Sequence, residues 1–158
     1  MAPPRALRLL AEDADDLAVI SAALQDAVTK IGDILWEPKA RRLTIAFNRF
    51  RWEAKGGRGE RVRAGLQLGG VLSVKGRRLR REAKDAVLEL LAMTFDPGEA
   101  PGGVITLAFA AGGDLAAGVE CIDAALADLS DPWPVPRKPG HKLDPSPPAG
   151  EGVSEADG

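Results

Sequence analysis

Between Asp13 and Val28 the apolar residues Leu17, Ile20, Leu24, Ala27 and Val28 recur at spacings of three, four and seven, which predicts an amphipathic helix. Asp13 is placed to cap it, and Glu12, Asp13, Asp15 and Asp16 crowd the positive end of its dipole. A strand is expected over Ile31–Glu37, a turn at Pro38–Ala40, where proline pre-sets the turn dihedral, and a return strand over Arg41–Trp52. On that return strand Leu43, Ile45 and Phe47 share one face while Phe50 and Trp52 have the opposite parity. Either a bulge near Asn48 and Arg49 or burial under another element brings the aromatics in, or they stand as an exposed platform flanked by Arg49 and Arg51.

Glu53–Glu60, with Gly56, Gly57 and Gly59, reads as a flexible loop, since it lacks the Gly-Lys-Ser/Thr ending and following helix of a phosphate loop. From Val62 to Val74 the apolar side chains Val62, Ala64, Leu66, Leu68, Leu72 and Val74 fall on even positions. That parity favours one long strand bent at Gly69 and Gly70 over a tight hairpin, which would turn Ser73 and Lys75 inward. Ala86–Phe95 fits helix or strand and is assigned as a strand; Gly102–Ala110 and Leu115–Val119 form a hairpin across a Gly-Gly turn. Ile122, Leu126 and Leu129 predict a closing helix over about 120–129.

The expected fold is therefore α+β. A strongly curved, mainly antiparallel sheet of about six or seven strands, a half-barrel or pleckstrin-homology-like roll by analogy, packs with an N-terminal and a C-terminal helix. Residues 1–130 make a single globular domain. Residues 131–158, with prolines at 132, 134, 136, 139, 145, 147 and 148, make a mostly disordered tail, from which Trp133 can fold back onto the body.

Composition narrows the chemistry. The chain has 158 residues, one cysteine (Cys121), one histidine (His141, in the proline-rich tail) and no tyrosine. Histidine-dependent nucleophilic catalysis and histidine-ligated zinc are disfavoured, and no metal or cofactor is expected. No disulfide can form within the chain, no apolar run approaches membrane-spanning length, and no signal-peptide stretch opens it, so a cytoplasmic location is expected.

Charge is the feature that bears on function. Residues 37–84 hold fifteen of the 21 Lys+Arg against four acids, a net of +11, flanked by segments of −3 and −10 that bring the total to −2. Such asymmetry points to an anionic partner or to an internal electrostatic match. Candidate binding residues are Arg49, Arg51, Trp52, Arg58, Arg61, Arg63, Arg77, Arg78 and Arg80. The leading expectation is a non-catalytic binding or adaptor module whose basic sheet face meets an acidic protein or a phosphate-bearing partner. Nucleic acid is disfavoured because no RNA-binding fingerprint is present, and no membrane partner is expected. The alternatives are an enzyme using carboxylate and arginine chemistry, with Glu53 or Glu120 as candidates, and a homo-oligomer pairing acidic and basic segments of different copies.

Two stretches carry a family likeness: Leu9-Leu10-Ala11-Glu12-Asp13 running into Asp16-Leu17-Ala18-Val19-Ile20-Ser21 and Leu24-Gln25-Asp26-Ala27-Val28, and Asn48-Arg49-Phe50-Arg51-Trp52-Glu53. With Arg61-Val62-Arg63-Ala64-Gly65-Leu66, Val119-Glu120-Cys121-Ile122 and Trp133, they resemble an uncharacterised alphaproteobacterial family, domain of unknown function 2948, over roughly Ala6 to His141. The resemblance implies a small cytoplasmic bacterial protein and brings no activity, substrate or catalytic residue with it.

Overall fold

The computed structural model describes residues 6–51, 60–131 and 133–134. Strand β1 (Arg8–Ala11) leads into helix α1 (Ala14–Ala23), which begins where expected: the Asp13 carboxylate accepts a hydrogen bond from the Asp16 N–H at 2.8 Å. Leu17 and Ile20, with Leu24 just past the helix end, are fully buried, so the predicted apolar stripe is the face that packs on β1 and on β7 (Val87–Pro97). The helix ends earlier than the apolar pattern because Asp26 adopts a left-handed backbone (φ 64°) and Val28 already belongs to β2 (Val28–Lys30).

The remaining strands are β3 (Ile34–Glu37), β4 (Arg42–Phe50), β5 (Glu60–Leu68), β6 (Val71–Arg77), β8 (Gly103–Phe109), β9 (Asp114–Val119), β10 (Ala124–Asp128) and β11 (Trp133–Pro134). Their order is β1-β10-β5-β4-β2-β7-β8-β9-β6, with β3 beside β4 and β11 beside β5, every pair antiparallel. The path is open, with β1 and β6 at its ends.

This corrects the expected architecture of six or seven strands between two helices. Eleven strands and a single α-helix are present among the described residues, and the closing helix of the roll analogy is replaced by β10. Ile122 and Leu126 satisfy period 3.6 and period 2 alike, so their spacing alone cannot separate helix from strand. The partners decide it. Ala124 and Leu126 pair with Leu68 and Leu66 of β5 on one side and with Ala11 and Leu9 of β1 on the other, and Leu129, assigned to the buried helical face, is 64% exposed. β1 is likewise a strand that sequence did not separate from the helix entry.

The ribbon from Val62 onward does bend at the two glycines. Gly70 has φ 62°, which suits a residue without Cβ, and β5 and β6 do not pair with each other; they serve different parts of the sheet. The single even-numbered core face ends there, however. Val71 is buried, Leu72 is 57% exposed, and a register shift between Val71 and Ser73 opposite β9 absorbs the extra residue. A second shift on β7, between Leu90 and Ala92, moves burial from Leu90 to Met93, whose N–H donates to Ser21 Oγ of α1 at 2.9 Å. The stretch of ambiguous pattern at 86–95 is thus strand, and the 102–119 hairpin forms with Ile105, Leu107 and Phe109 buried.

Candidate functional site

The β4–β5 register runs without interruption from Leu43↔Leu68 to Phe50↔Arg61, so no bulge rescues the parity of the aromatics. Instead Arg49 takes the next core-facing position after Phe47, and its side chain is 0% exposed. A guanidinium can sit there only because a carboxylate meets it. Arg49 Nε and Nη2 donate to Asp128 Oδ1 and Oδ2, each at 2.9 Å; the Leu7 N–H donates to Oδ2 at 2.8 Å, and Arg49 Nη1 donates to the Phe50 carbonyl at 2.9 Å. This bidentate pair spans β5 and closes the end of the core.

Phe50 is buried on the opposite face of the strand, beneath the Arg61 guanidinium, which stands 3.9 Å from the ring centroid. On that face Asn48 lies opposite Arg63, and Val28 pairs with both Asn48 and Glu89, so one row of side chains crosses β5, β4, β2 and β7. Arg63 donates to Asn48 Oδ1 at 3.1 Å and to Asp33 Oδ2 at 3.2 Å, while Arg61 Nη1 donates to the Asn48 carbonyl at 3.1 Å. Burial pushes the Arg61 guanidinium down to about 10, against the opposing pull of the Glu89 and Asp26 carboxylates. Glu89 is shifted up from the ordinary carboxylate range, first by desolvation and then by the like charge of, and a hydrogen bond with, Asp26. Two cations, Arg61 and Arg63, thus face three carboxyl groups, Asp26, Asp33 and Glu89, in a polar layer that largely balances itself.

The other candidate residues are placed as follows. Arg51 pairs with Glu60, and its Nε is buried without a hydrogen-bond partner. Arg77 pairs with Asp114, Nη2 to Oδ2 at 2.5 Å; the hydrogen bond from Arg77 holds the Asp114 carboxyl below its usual range. Arg78 and Arg80 are exposed and make no ion pair among the described residues. Trp52 and Arg58 lie outside the described residues, as does Glu53. Glu120, the other carboxylate weighed for catalysis, is taken up by Arg41 at 2.6 Å. The structure therefore brings Arg61 and Arg63 together, sets Arg49 behind them in the core, and puts Arg77, Arg78 and Arg80 at the far end of β6.

Sequence reasoning missed Asp26, Asp33, Asn48 and Glu89 as members of the polar layer. The available signal was weak: Asp26 stands two residues before a strand, and aspartate tolerates a left-handed turn there. Lys75, Arg81 and Lys84, counted in the basic middle of the sequence but not among the candidate residues, are exposed like Arg78 and Arg80, and each is without an ion pair among the described residues. No grouping of three or more metal-ligating side chains occurs among the described residues, and no described helix is long and apolar enough to cross a membrane.

The model of the family described as protein of unknown function (DUF2948) matches residues 7–141. The chain belongs to that family. No curated protein and no solved structure matches it. The DUF2948 match reaches from the residue before β1 past the end of β11, so the buried Arg49–Asp128 pair, the polar layer around Arg61 and the basic connection after β6 all lie within it.

Proposed function

We propose that this DUF2948 chain is a non-catalytic binding module for an acidic protein partner, acting in the cytoplasm, and that its contact surface is the connection following β6. One observation carries the reading. Arg49, Arg51, Arg63 and Arg77 are each paired with a carboxylate of the protein itself, whereas Lys75, Arg78, Arg80, Arg81 and Lys84 are exposed and without an ion pair among the described residues. Residues 75–84 hold six cations against the single carboxylate Glu82. A concentrated charge of one sign steers an oppositely charged surface and is weakened by salt. Leu79 anchors the connection by packing against the core, and the Gly32 N–H ties its far end down through the Lys84 carbonyl at 2.8 Å.

The test is capture from cell lysate at about 50 and about 500 mM salt, where the Debye length falls well below 10 Å, with protein and nucleic acid both identified. Wild type and the triple variant Arg78→Glu, Arg80→Glu, Arg81→Glu are compared. The reading expects an acid-rich protein held by wild type at low salt, released at high salt and absent from the variant. Identical captures by the two proteins would refute it, and enrichment of RNA would move the reading to nucleic acid. The Asp26–Glu89 carboxyl pair favours a second reading, an enzyme using carboxylate and arginine chemistry. Glu89→Gln separates the two, because the binding reading expects it to leave capture unchanged.

A further inference from the structure

We propose that β6 accepts an acidic, extended segment of another protein as an added antiparallel strand, held by backbone hydrogen bonds along the free edge and by the cations that border it. This rests on the binding reading above and names its mode. β6 ends the strand order and pairs only with β9 among the described strands, so from Ser73 to Arg77 alternate N–H and C=O groups lack a strand partner on the other side. The register shift lies at the start of the strand, between Val71 and Ser73, and the pairing of Ser73 through Arg77 with Gly118 through Asp114 is continuous. A regular edge of five residues therefore remains, and an incoming strand could use it in the manner of β-augmentation.

The side chains choose the occupant. A Cβ on Gly76 would meet Leu79 and Leu115, so positions 74 and 76 face the core side, and Ser73, Lys75 and Arg77 alternate onto the other. At the end of the strand Arg78 turns the chain (φ 57°) into the connection carrying Arg80, Arg81 and Lys84. A second copy pairing antiparallel about Gly76 would set Lys75 of each copy against Arg77 of the other, and like charges opposed across strands are destabilising. An acidic strand meets no such opposition. At the other end of the strand order β1 is only four residues long and runs straight into Glu12, Asp13, Asp15 and Asp16, which repel the same ligand; β3 and β11, each paired on one side, are four and two residues long.

The experiment measures hydrogen exchange and fluorescence binding on the full chain with a synthetic peptide of alternating glutamate and threonine. The comparisons are a glutamine counterpart and two peptides N-methylated at alternate positions of either parity. Addition of the parent peptide is expected to slow exchange within residues 71–77. The glutamine peptide and one of the two N-methylated peptides should each bind about tenfold more weakly or worse, since the first loses charge and the second loses ladder hydrogen bonds. If both N-methylated peptides bind like the parent, the added strand is refuted while the charged surface stands. If the parent does not bind at low salt, both fall. Slow exchange in the free chain of the edge-facing amides of 71–77, those not bonded to β9, would assign the edge to the chain's own segment, and slowing of those amides that grows with protein concentration would assign it to a second copy; either overturns the proposal.

Discussion

Removing one partner of the Arg49–Asp128 pair should be among the costliest single changes this protein can suffer. The two side chains are 0% and 2% exposed, and the carboxylate accepts from Arg49 Nε, Arg49 Nη2 and the Leu7 N–H at 2.9, 2.9 and 2.8 Å. Asp128→Asn keeps the shape but places an NH2 against a donor on one side and leaves the guanidinium without a counter-charge. Arg49→Met strands the carboxylate with the Leu7 N–H as its remaining donor among these three. Breaking a buried pair from one side costs about 3–5 kcal/mol, a large part of the roughly 5–15 kcal/mol by which a domain is stable. At this chain length that lowers the thermal midpoint by about 6–20 °C. The double variant Arg49→Met/Asp128→Asn buries no charge, and the carboxamide oxygen it introduces can still accept from the Leu7 N–H. Its cost should therefore fall short of the sum of the single costs by at least about 2 kcal/mol. Urea denaturation of the four proteins, read at constant slope, gives the cycle. Single variants within about 1 kcal/mol of wild type, or costs that simply add in the double variant, would refute the reasoning.

Other consequences are open to direct measurement. Glu89 titrates above its ordinary value of 4.5 in the folded state, so its contribution to stability is fully present below that value and is lost as pH rises through the folded one. Glu89→Gln should therefore raise the urea midpoint near pH 7 relative to wild type, with the gain vanishing near pH 4; an unchanged difference across that range would count against the carboxyl pair. Asp114 has the opposite sign: the stability from its bond with Arg77 is present above 3.8 and lost as pH falls through its depressed folded value, and Arg77→Ala should remove that part of the acid profile. Asp13→Ala should cost about 0.5–2 kcal/mol through loss of the helix cap, measurable by denaturant titration. Gly103→Ala should cost more, because its Cβ would collide with the Asp96 carbonyl and the Phe95 ring, and failure of the hairpin amides to lose exchange protection would argue otherwise.

The parts of this fold that could be read from the chain are those whose signals are local. The Asp13 cap, the hairpin between Gly103 and Val119, the turn after Glu37 and the bend at Gly69 and Gly70 each follow from residues within a few positions of one another. What escaped depends on distant partners. Leu126 is a strand residue because β1 and β5 lie on either side of it, and nothing within 120–129 says so. Register shifts at Leu72 and Leu91 exchange one face for the other without a proline or glycine at the position itself. The candidate site failed for the same reason: an arginine in a strand looks solvent-facing until a carboxylate 79 residues away turns out to sit beside it.

That partnership also explains the charge pattern with which the chain presents itself. Arg41–Glu120, Arg49–Asp128, Arg63–Asp33 and Arg77–Asp114 each join the basic middle to one of the acidic flanks, across 30 to 79 residues of sequence. Folding thus cancels much of the asymmetry internally, and what it leaves unpaired among the described residues is concentrated from Lys75 to Lys84. The two populations should answer differently to salt. At about 1 M the Debye length is about 3 Å, which screens exposed charges at contact distances but scarcely reaches a pair sealed from water. Partner capture should then be abolished while the urea midpoint moves little, because the exposed pairs that salt screens contribute little and the buried pair, whose breaking is costly, is the one that salt does not reach. A midpoint that collapsed together with binding would mean that the exposed pairs hold the fold, and that the cations after β6 are needed at home rather than available to a partner.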